Sequence, residues 1–333
     1  MNANAIASIL NLTICFALPL MLVALGGMYA EHSGVINLAL EGIMIMGALA
    51  STMALKFMDM AGWGASAMTS QMGVLLATLI AGLVGMVFSL LLAFAAINLK
   101  ADQTITGTAM NLFAPAFCLV VAWAVQGQGK TSISIPKWTR WTPKQLGIPG
   151  NVRTDFLPAL FKKFYITVPI AIVLLFIAWF LMYRTRFGLR LRSCGEHPQA
   201  SDSVGINVYK MRYAGVMISG FLGGIGGLAY VLPIGSTFEG EVGGYGFLAL
   251  AVMIFGNWKP FQIFLCSLFF ALFKVLGTYY TLIPFLPRFE GLERVSCLYN
   301  LLPYIVTMIV LVLTSQKSRA PKAEGVPYDK GTR

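Results

Sequence analysis

Nine apolar runs dominate the chain, at about 5–29, 35–55, 73–99, 104–125, 165–183, 213–232, 246–258, 261–283 and 299–314. A helix needs roughly 20 apolar residues to cross the hydrocarbon core of a bilayer, and most of these runs supply them. No water reaches a backbone N–H or C=O at that depth, so only helices and closed barrels cross it. The runs lack the strict alternation of barrel strands. They predict an all-α fold, a polytopic transmembrane helical bundle of about 8–9 membrane segments. The composition agrees: only 11% of the 333 residues are charged and the mean hydropathy is +0.76, against about 25% charged residues in a soluble domain. The first residues, MNANAIASILNLTICF, carry no basic start, so they read as a first span rather than a cleaved leader.

Two runs are irregular. The run at 246–258 is short for a full crossing and has glycines on both sides. The run at 35–55 carries Glu41 in its interior, with Gly34, Gly42 and Gly47 around it. Both predict broken or re-entrant helices. Leu38-Ala39-Leu40 and Leu248-Ala249-Leu250 echo each other across them, which hints at an internal repeat.

Lysine and arginine set the orientation. The single run 165–183 separates two basic stretches, which therefore lie on opposite faces. Residues 126–164 hold seven basic residues and 184–212 hold six. The tail at 315–333 breaks the tie. Four runs lie between 184–212 and the tail, so the two share a face, and with Lys100 and Lys259 that face gathers 13 basic residues against 10. The positive-inside rule then places 184–212 and the tail in the cytoplasm and 126–164 outside. Nine crossings put the N-terminus outside as well; fewer crossings through 5–55 would flip it. The expected organisation is one transmembrane domain over 1–314 and a polar, disordered cytoplasmic tail over 315–333.

The residues offer little catalytic chemistry. Ala124–Thr131 matches a relaxed phosphate-binding loop, but such a loop follows a strand and opens a helix. This one follows an apolar run and meets Pro136. His32 and His197 are the only imidazoles, and the five cysteines are scattered singly, so neither a zinc site nor a disulfide framework is readable.

The polar residues inside the apolar runs are more informative. Asn37 and Glu41 are four apart, on one helical face. An acidic residue in a membrane helix costs on the order of 3 kcal/mol, so it faces a cavity or a polar partner. It either lines a transport path or makes a structural hydrogen bond, to a neighbouring helix or to backbone amides freed by a glycine break. Thr104, Thr108 and Asn111 fall at i, i+4 and i+7 and either line a polar path or bond helix to helix. Ser219, Gly223 and Gly227 form a ridge of small residues, flanked by Gly220 and Gly224, that lets another helix approach closely. Glu239 and Glu241 stand in the turn before the short run.

Three blocks carry a resemblance over about residues 15–314: GVINLALEG at 34–42, YRTRFGLRLRSCGEHPQASDSVGINVYKMRY at 183–213, and GGYGFLALAVMIFGNWKP at 243–260. Together they resemble the permease subunits of ATP-binding-cassette importers. The likeness is to the branched-chain amino acid and ribose permease group, and within it to the nucleoside branch served by basic membrane lipoproteins. The first block is what points to nucleosides. The resemblance implies that residues 184–212 contain a short coupling helix which docks in a groove of the ATPase. Here that helix would span about Pro198–Val204, entered through Gly195, Glu196 and His197, carrying Ala200, and left at Gly205. Proline suits a first helical turn, an acidic residue suits the positive end, and glycine suits a left-handed stop.

The resemblance further implies no cofactor in this chain, with ATP-Mg on a partner ATPase, so the chain is not itself an enzyme. It implies a second permease subunit, a paralogue, and an extracytoplasmic solute-binding lipoprotein, in a bacterial inner membrane. Substrate and lipid are then the expected contacts, with no nucleic acid. Lys137 and Arg140, outside, are expected to meet an acidic rim on the lipoprotein. A sugar or branched-chain amino acid is the alternative cargo. An ion-coupled secondary transporter using Glu41 is the alternative class.

Overall fold

The computed structural model describes residues 3–143, 155–162, 164–234, 237–278 and 320–330, with isolated positions at 145, 147–150, 301, 305, 308–309 and 312. Eleven helices are described: α1 Ala3–His32, α2 Leu40–Met60, α3 Ala67–Ile97, α4 Gln103–Gln126, α5 Phe156–Leu160, α6 Thr167–Arg184, α7 Arg186–Glu196, α8 Pro198–Ser203, α9 Val208–Ile234, α10 Tyr245–Phe255 and α11 Pro260–Thr278. Among them, α1, α2, α3, α4, α6, α9 and α11 are long and apolar enough to cross a membrane, and α10 is apolar but short. These eight match the first eight apolar runs. Most of the ninth, at 299–314, lies outside the described residues.

Local chemistry sets several helix starts. Ser66 and Thr69 form a reciprocal capping box at α3. The Asp102 carboxylate accepts the Thr104 and Ile105 N–H groups at α4, satisfying donors that have no intrahelical acceptor.

Contacts order the helix ends. Take the lower end as the one that carries 184–212. Gly195 lies against the carbonyl of His32, so α1 ends there. The far end holds Asn11, which donates to the Leu160 carbonyl, and Asp59 of α2, which accepts from the Trp138 indole. Successive spans alternate from these anchors, with α2, α4 and α9 running upward and α1, α3 and α6 downward. At the upper end a two-residue ladder, β1 Ile133–Ser134 with β2 Thr237–Phe238, ties the 126–164 stretch to the chain leaving α9.

Helix α9 is the hub, packed between α1, α2 and α3. Its small residues serve two sides. On one side a Cβ at Gly223 would meet Ile43, and one at Gly227 would meet the Met44 carbonyl, so this face takes α2. The Ser219 carbonyl faces Gly26 of α1. On the other side Gly220 and Gly224 take α3 at Gly85 and Ala81. At Gly224, Gly47 of α2 and Gly85 of α3 both stand against the backbone. Three helices approach to backbone contact there, which only side chains of hydrogen permit.

Three expectations need correction. Residues 184–212 are not a loop. They form two helices, α7 and α8, with Gly195 and Glu196 in the last turn of α7 rather than in an entry loop. Residues 34–39 are not helical, so Asn37 and Glu41 do not share a helical face, and Glu41 stands at the start of α2 rather than in its interior. The tail is not free of structure: residues 320–330 cross the lower end as a strap. Ala323 N–H donates to Gly195 O (2.8 Å) and Gly325 N–H to Gly34 O (3.2 Å). Arg212, itself 1% exposed, donates to Val326 O. Tyr328 packs edge-on against Tyr209, and Lys100 pairs with Asp329 at 2.7 Å. Apolar residues within a polar tail, Ala323 and Tyr328, give the strap its grip, and both are buried.

The strap carries a titratable group. Glu324 hydrogen-bonds Glu31, which also accepts the Trp258 indole N–H, and burial pushes the Glu324 carboxyl up to about 7. Off its dock it ionises near the ordinary value of 4.5. Docking therefore favours the protonated acid and weakens as pH rises from about 4.5 to 7. Hydrogen exchange at the strap amides, corrected for intrinsic rate, should be faster at pH 7.5 than at pH 5.

Candidate functional site

The two irregular runs meet each other inside the bundle. The chain rises from Gly34 in non-helical conformation and begins α2 at Leu40. From above, the chain descends through Glu239–Gly244 and begins α10 at Tyr245. Helix α2 then runs up to Asp59 beside Trp138, and α10 runs down to Phe255, with Trp258 just beyond it beside Glu31. Their N-termini abut so closely that a Cβ on Gly246 would strike the backbone of Glu41. Helix rise places this junction inside the bundle. Ser219 and Asn111, which border it, lie eleven and eight residues into α9 and α4, or about 16 and 12 Å from the lower end.

Each broken backbone segment is satisfied by distant side chains. The Glu41 carboxylate accepts Gly244 N–H (2.8 Å) and Gly246 N–H (2.5 Å), capping α10 from 203 and 205 residues away. Asn111 of α4 bridges the other break, accepting Gly42 N–H (2.8 Å) and donating to Leu38 O (2.7 Å). Asn37 folds back to accept Ala39 N–H and donates to the Ser219 hydroxyl. Gln103 accepts Ile36 N–H at 2.7 Å. Asn37, Glu41, Asn111 and Ser219 are all buried.

The electrostatics follow from the geometry. A helix N-terminus carries roughly half a positive charge, and two of them meet here. Unbonded amides and two like partial charges at this depth are costly. One carboxylate, from Glu41, meets both. Lys274 of α11 lies 5.9 Å from the ring of Tyr245, which packs on Tyr230 at 4.3 Å. Above the junction, Tyr230, Val231, Thr237, Phe238, Glu239, Glu241 and Gly243 line a half-open cavity of about 210 Å³.

The structure thus brings Asn37, Glu41, Asn111 and Ser219 together, with Gly223 one turn along. Thr104 and Thr108 stand apart. They lie on the exposed face of α4, whose inner face carries Gln103, Gly107 and Asn111. The Thr108 hydroxyl bonds back to the Thr104 carbonyl of its own helix. Tyr230 and Tyr245 also border the junction; each sits in an ordinary apolar context that gives no local sign of a remote partner. At the lower end, α8 spans Pro198–Ser203 with Pro198 in its first turn, and Gly205 follows with φ +85°. Gly195, Glu196 and His197 lead into it, with Glu196, His197 and Ala200 exposed. The Ala124–Thr131 motif follows a helix and opens none, so it is no phosphate loop.

Spans that alternate through the bilayer around a pair of opposed, interrupted helices define a multi-pass membrane transport protein. The branched-chain amino acid transport system permease component family matches residues 8–314, and the chain belongs to that family. It is 42% identical to the guanosine ABC transporter permease protein NupQ of Bacillus subtilis, over 96% of each chain. It is 38% identical to the nucleoside ABC transporter permease protein NupC of Lactococcus lactis, over 98% of each. The nucleoside ABC transporter permease protein NupB of the same organism is 23% identical, over 94% of this chain and 83% of NupB. No solved structure matches.

Proposed function

We propose that this chain is the membrane-spanning permease subunit of an ATP-driven nucleoside importer, working by alternating access. One observation carries the reading: its likeness, along nearly its whole length, to permeases for guanosine and for nucleosides. The junction supports an uncharged cargo. Transporters with broken helices use exposed N-termini to hold anionic substrate groups, and here Glu41 already fills that place. The cavity above offers an aromatic ring and carboxylates, which suit a flat base and a hydroxyl-bearing sugar.

In this reading the lower end faces the cytoplasm of a bacterium and the N-terminus lies outside, in the plasma membrane. A separate ATPase binds ATP-Mg and pushes on α8. A paralogous second permease completes the pathway; NupB and NupC of one organism both resemble this chain. A solute-binding lipoprotein docks above, where Lys137 and Arg140 are exposed. Reversing both to glutamate should weaken its docking in a pull-down; unchanged docking would remove them from that interface.

Force from α8 has two routes to the junction. Gly195 abuts the end of α1 at His32, and the strap joins Gly195 to Gly34, where the non-helical segment starts. Replacing Gly205 by proline forbids its positive φ, and Glu196→Arg reverses a charge on the exposed entry to α8. Each should leave ATP hydrolysis running while uptake falls, with membrane insertion intact. Ala323→Pro removes the donor to Gly195 and should speed exchange of the strap amides and lower uptake. Normal uptake in all three variants would sink the assignment of this end as the receiver of ATPase motion.

A further inference from the structure

A cleft separates α6 from α3 and α9 in the lower half of the bundle. Leu174 and Leu181 mark its length on α6, Ala214 and Leu222 on α9, Met86 lies behind and Phe187 of α7 forms the floor. It encloses about 400 Å³, and its wall is wholly apolar. The one polar group of its lining, the Tyr29 hydroxyl, is turned away to the Ala178 carbonyl at 2.7 Å. Seven residues of α6 and eight of α9 give it a length of about 10–12 Å along the helices, against about 15 Å for one leaflet's hydrocarbon. Its outer wall includes exposed Ile177, so it opens toward lipid.

The floor of the cleft is a basic amphipathic helix. Helix α7 buries Gly188, Leu191 and Cys194 against the bundle and exposes Leu189. Arg186 and Arg190, one turn apart, are exposed beside Phe187. The neighbouring arginines are already engaged, Arg184 over the Trp179 ring and Arg192 over the Tyr183 ring. Among the described residues no carboxylate pairs with Arg186 or Arg190. A helix with an apolar side, an exposed leucine and free arginines at the end of the spans is built to lie in the membrane interface. Basic clusters at that level, next to a gap between spans, attract anionic headgroups.

We propose that this cleft binds one acidic phospholipid, an acyl chain lying between α6 and α9 and the phosphate resting on Arg186 and Arg190. The lipid would fill the gap between α6 and the hub helix and hold α7, the helix that leads into α8, at the membrane surface. The site is independent of the cargo. The test is native mass spectrometry of the full purified chain equilibrated with phosphatidylglycerol or phosphatidylcholine. The wild type should retain phosphatidylglycerol on the order of tenfold better. R186Q/R190Q should bring that ratio close to one, and Ala214→Trp, which fills the cleft, should lower retention of both lipids. Should Ala214→Trp not fold, Ile177→Trp fills the cleft from its exposed wall. Equal retention of the two lipids by the wild type would overturn the proposal. So would unchanged phosphatidylglycerol retention in the arginine and cleft-filling variants. A tryptophan variant that loses association with another permease chain but keeps its lipid would show that the cleft docks a helix instead.

Discussion

Glu41→Ala is expected to abolish uptake and to destabilise the chain by about 2–4 kcal/mol, because it orphans one buried and one part-buried amide, the buried one worth about 1–3 kcal/mol. Those amides, of Gly244 and Gly246, begin α10 and have no intrahelical acceptor. Without the carboxylate, two helix N-termini also face each other with nothing between them. Glu41→Gln keeps one acceptor oxygen and should lie between alanine and wild type in thermal unfolding in detergent. The comparison separates two roles. A capping carboxylate predicts that stability and uptake fall together while the lipoprotein's own affinity for nucleoside is unaltered. An ion-coupling carboxylate predicts a stable Glu41→Gln protein that has lost only its response to an ion gradient. The carboxylate's bonds to backbone on α10 argue for the first.

Gly224→Leu should be the most damaging single change in the bundle. The backbones of Gly47 and Gly85 both close on Gly224, and the Ala81 carbonyl stands where its Cβ would be. A side chain of four carbons has no place to go, and backbones do not yield as flexible side chains do. Overpacking a filled core costs about 1–3 kcal/mol and more where nothing relaxes, so about 3 kcal/mol or more is expected here. The readout is the yield of monodisperse protein in detergent. Gly205→Leu provides the contrast, since a side chain at Gly205 meets open space and only the backbone strain of its positive φ remains. Similar yields from the two variants would show that the α2–α3–α9 crossing is looser than the geometry implies.

Why some of this was legible in advance and some was not has physical causes. Hydropathy locates spans because the bilayer demands about 20 apolar residues, whatever the neighbours are. Helix α8 was legible through the family resemblance, with which Pro198 and Gly205 agree because each acts on its own backbone. The ridge on α9 was legible because small residues spaced by four have few other uses in a membrane. The break at 34–39 was not. Val35-Ile36-Asn37-Leu38-Ala39 continues an apolar run, and nothing local says that Gln103 and Asn111 of α4 will satisfy its backbone. Glu41 stood out as an expensive residue, but its acceptor role depends on amides more than 200 residues away. The strap was misjudged because its polar composition suggests solvent, while a few residues, Ala323 and Tyr328 among them, find sites formed only by the folded lower end.

As proposed, this chain moves nucleosides only as part of an ATP-driven assembly. Proteoliposomes carrying the chain with its ATPase and second permease, supplied with the lipoprotein and labelled guanosine, test it most directly. Uptake should need ATP on the ATPase side, stop when any component is left out, and be competed by other nucleosides but not by glucose or leucine. Uptake by the chain alone under an ion gradient, or competition by glucose or leucine in place of nucleosides, would contradict it.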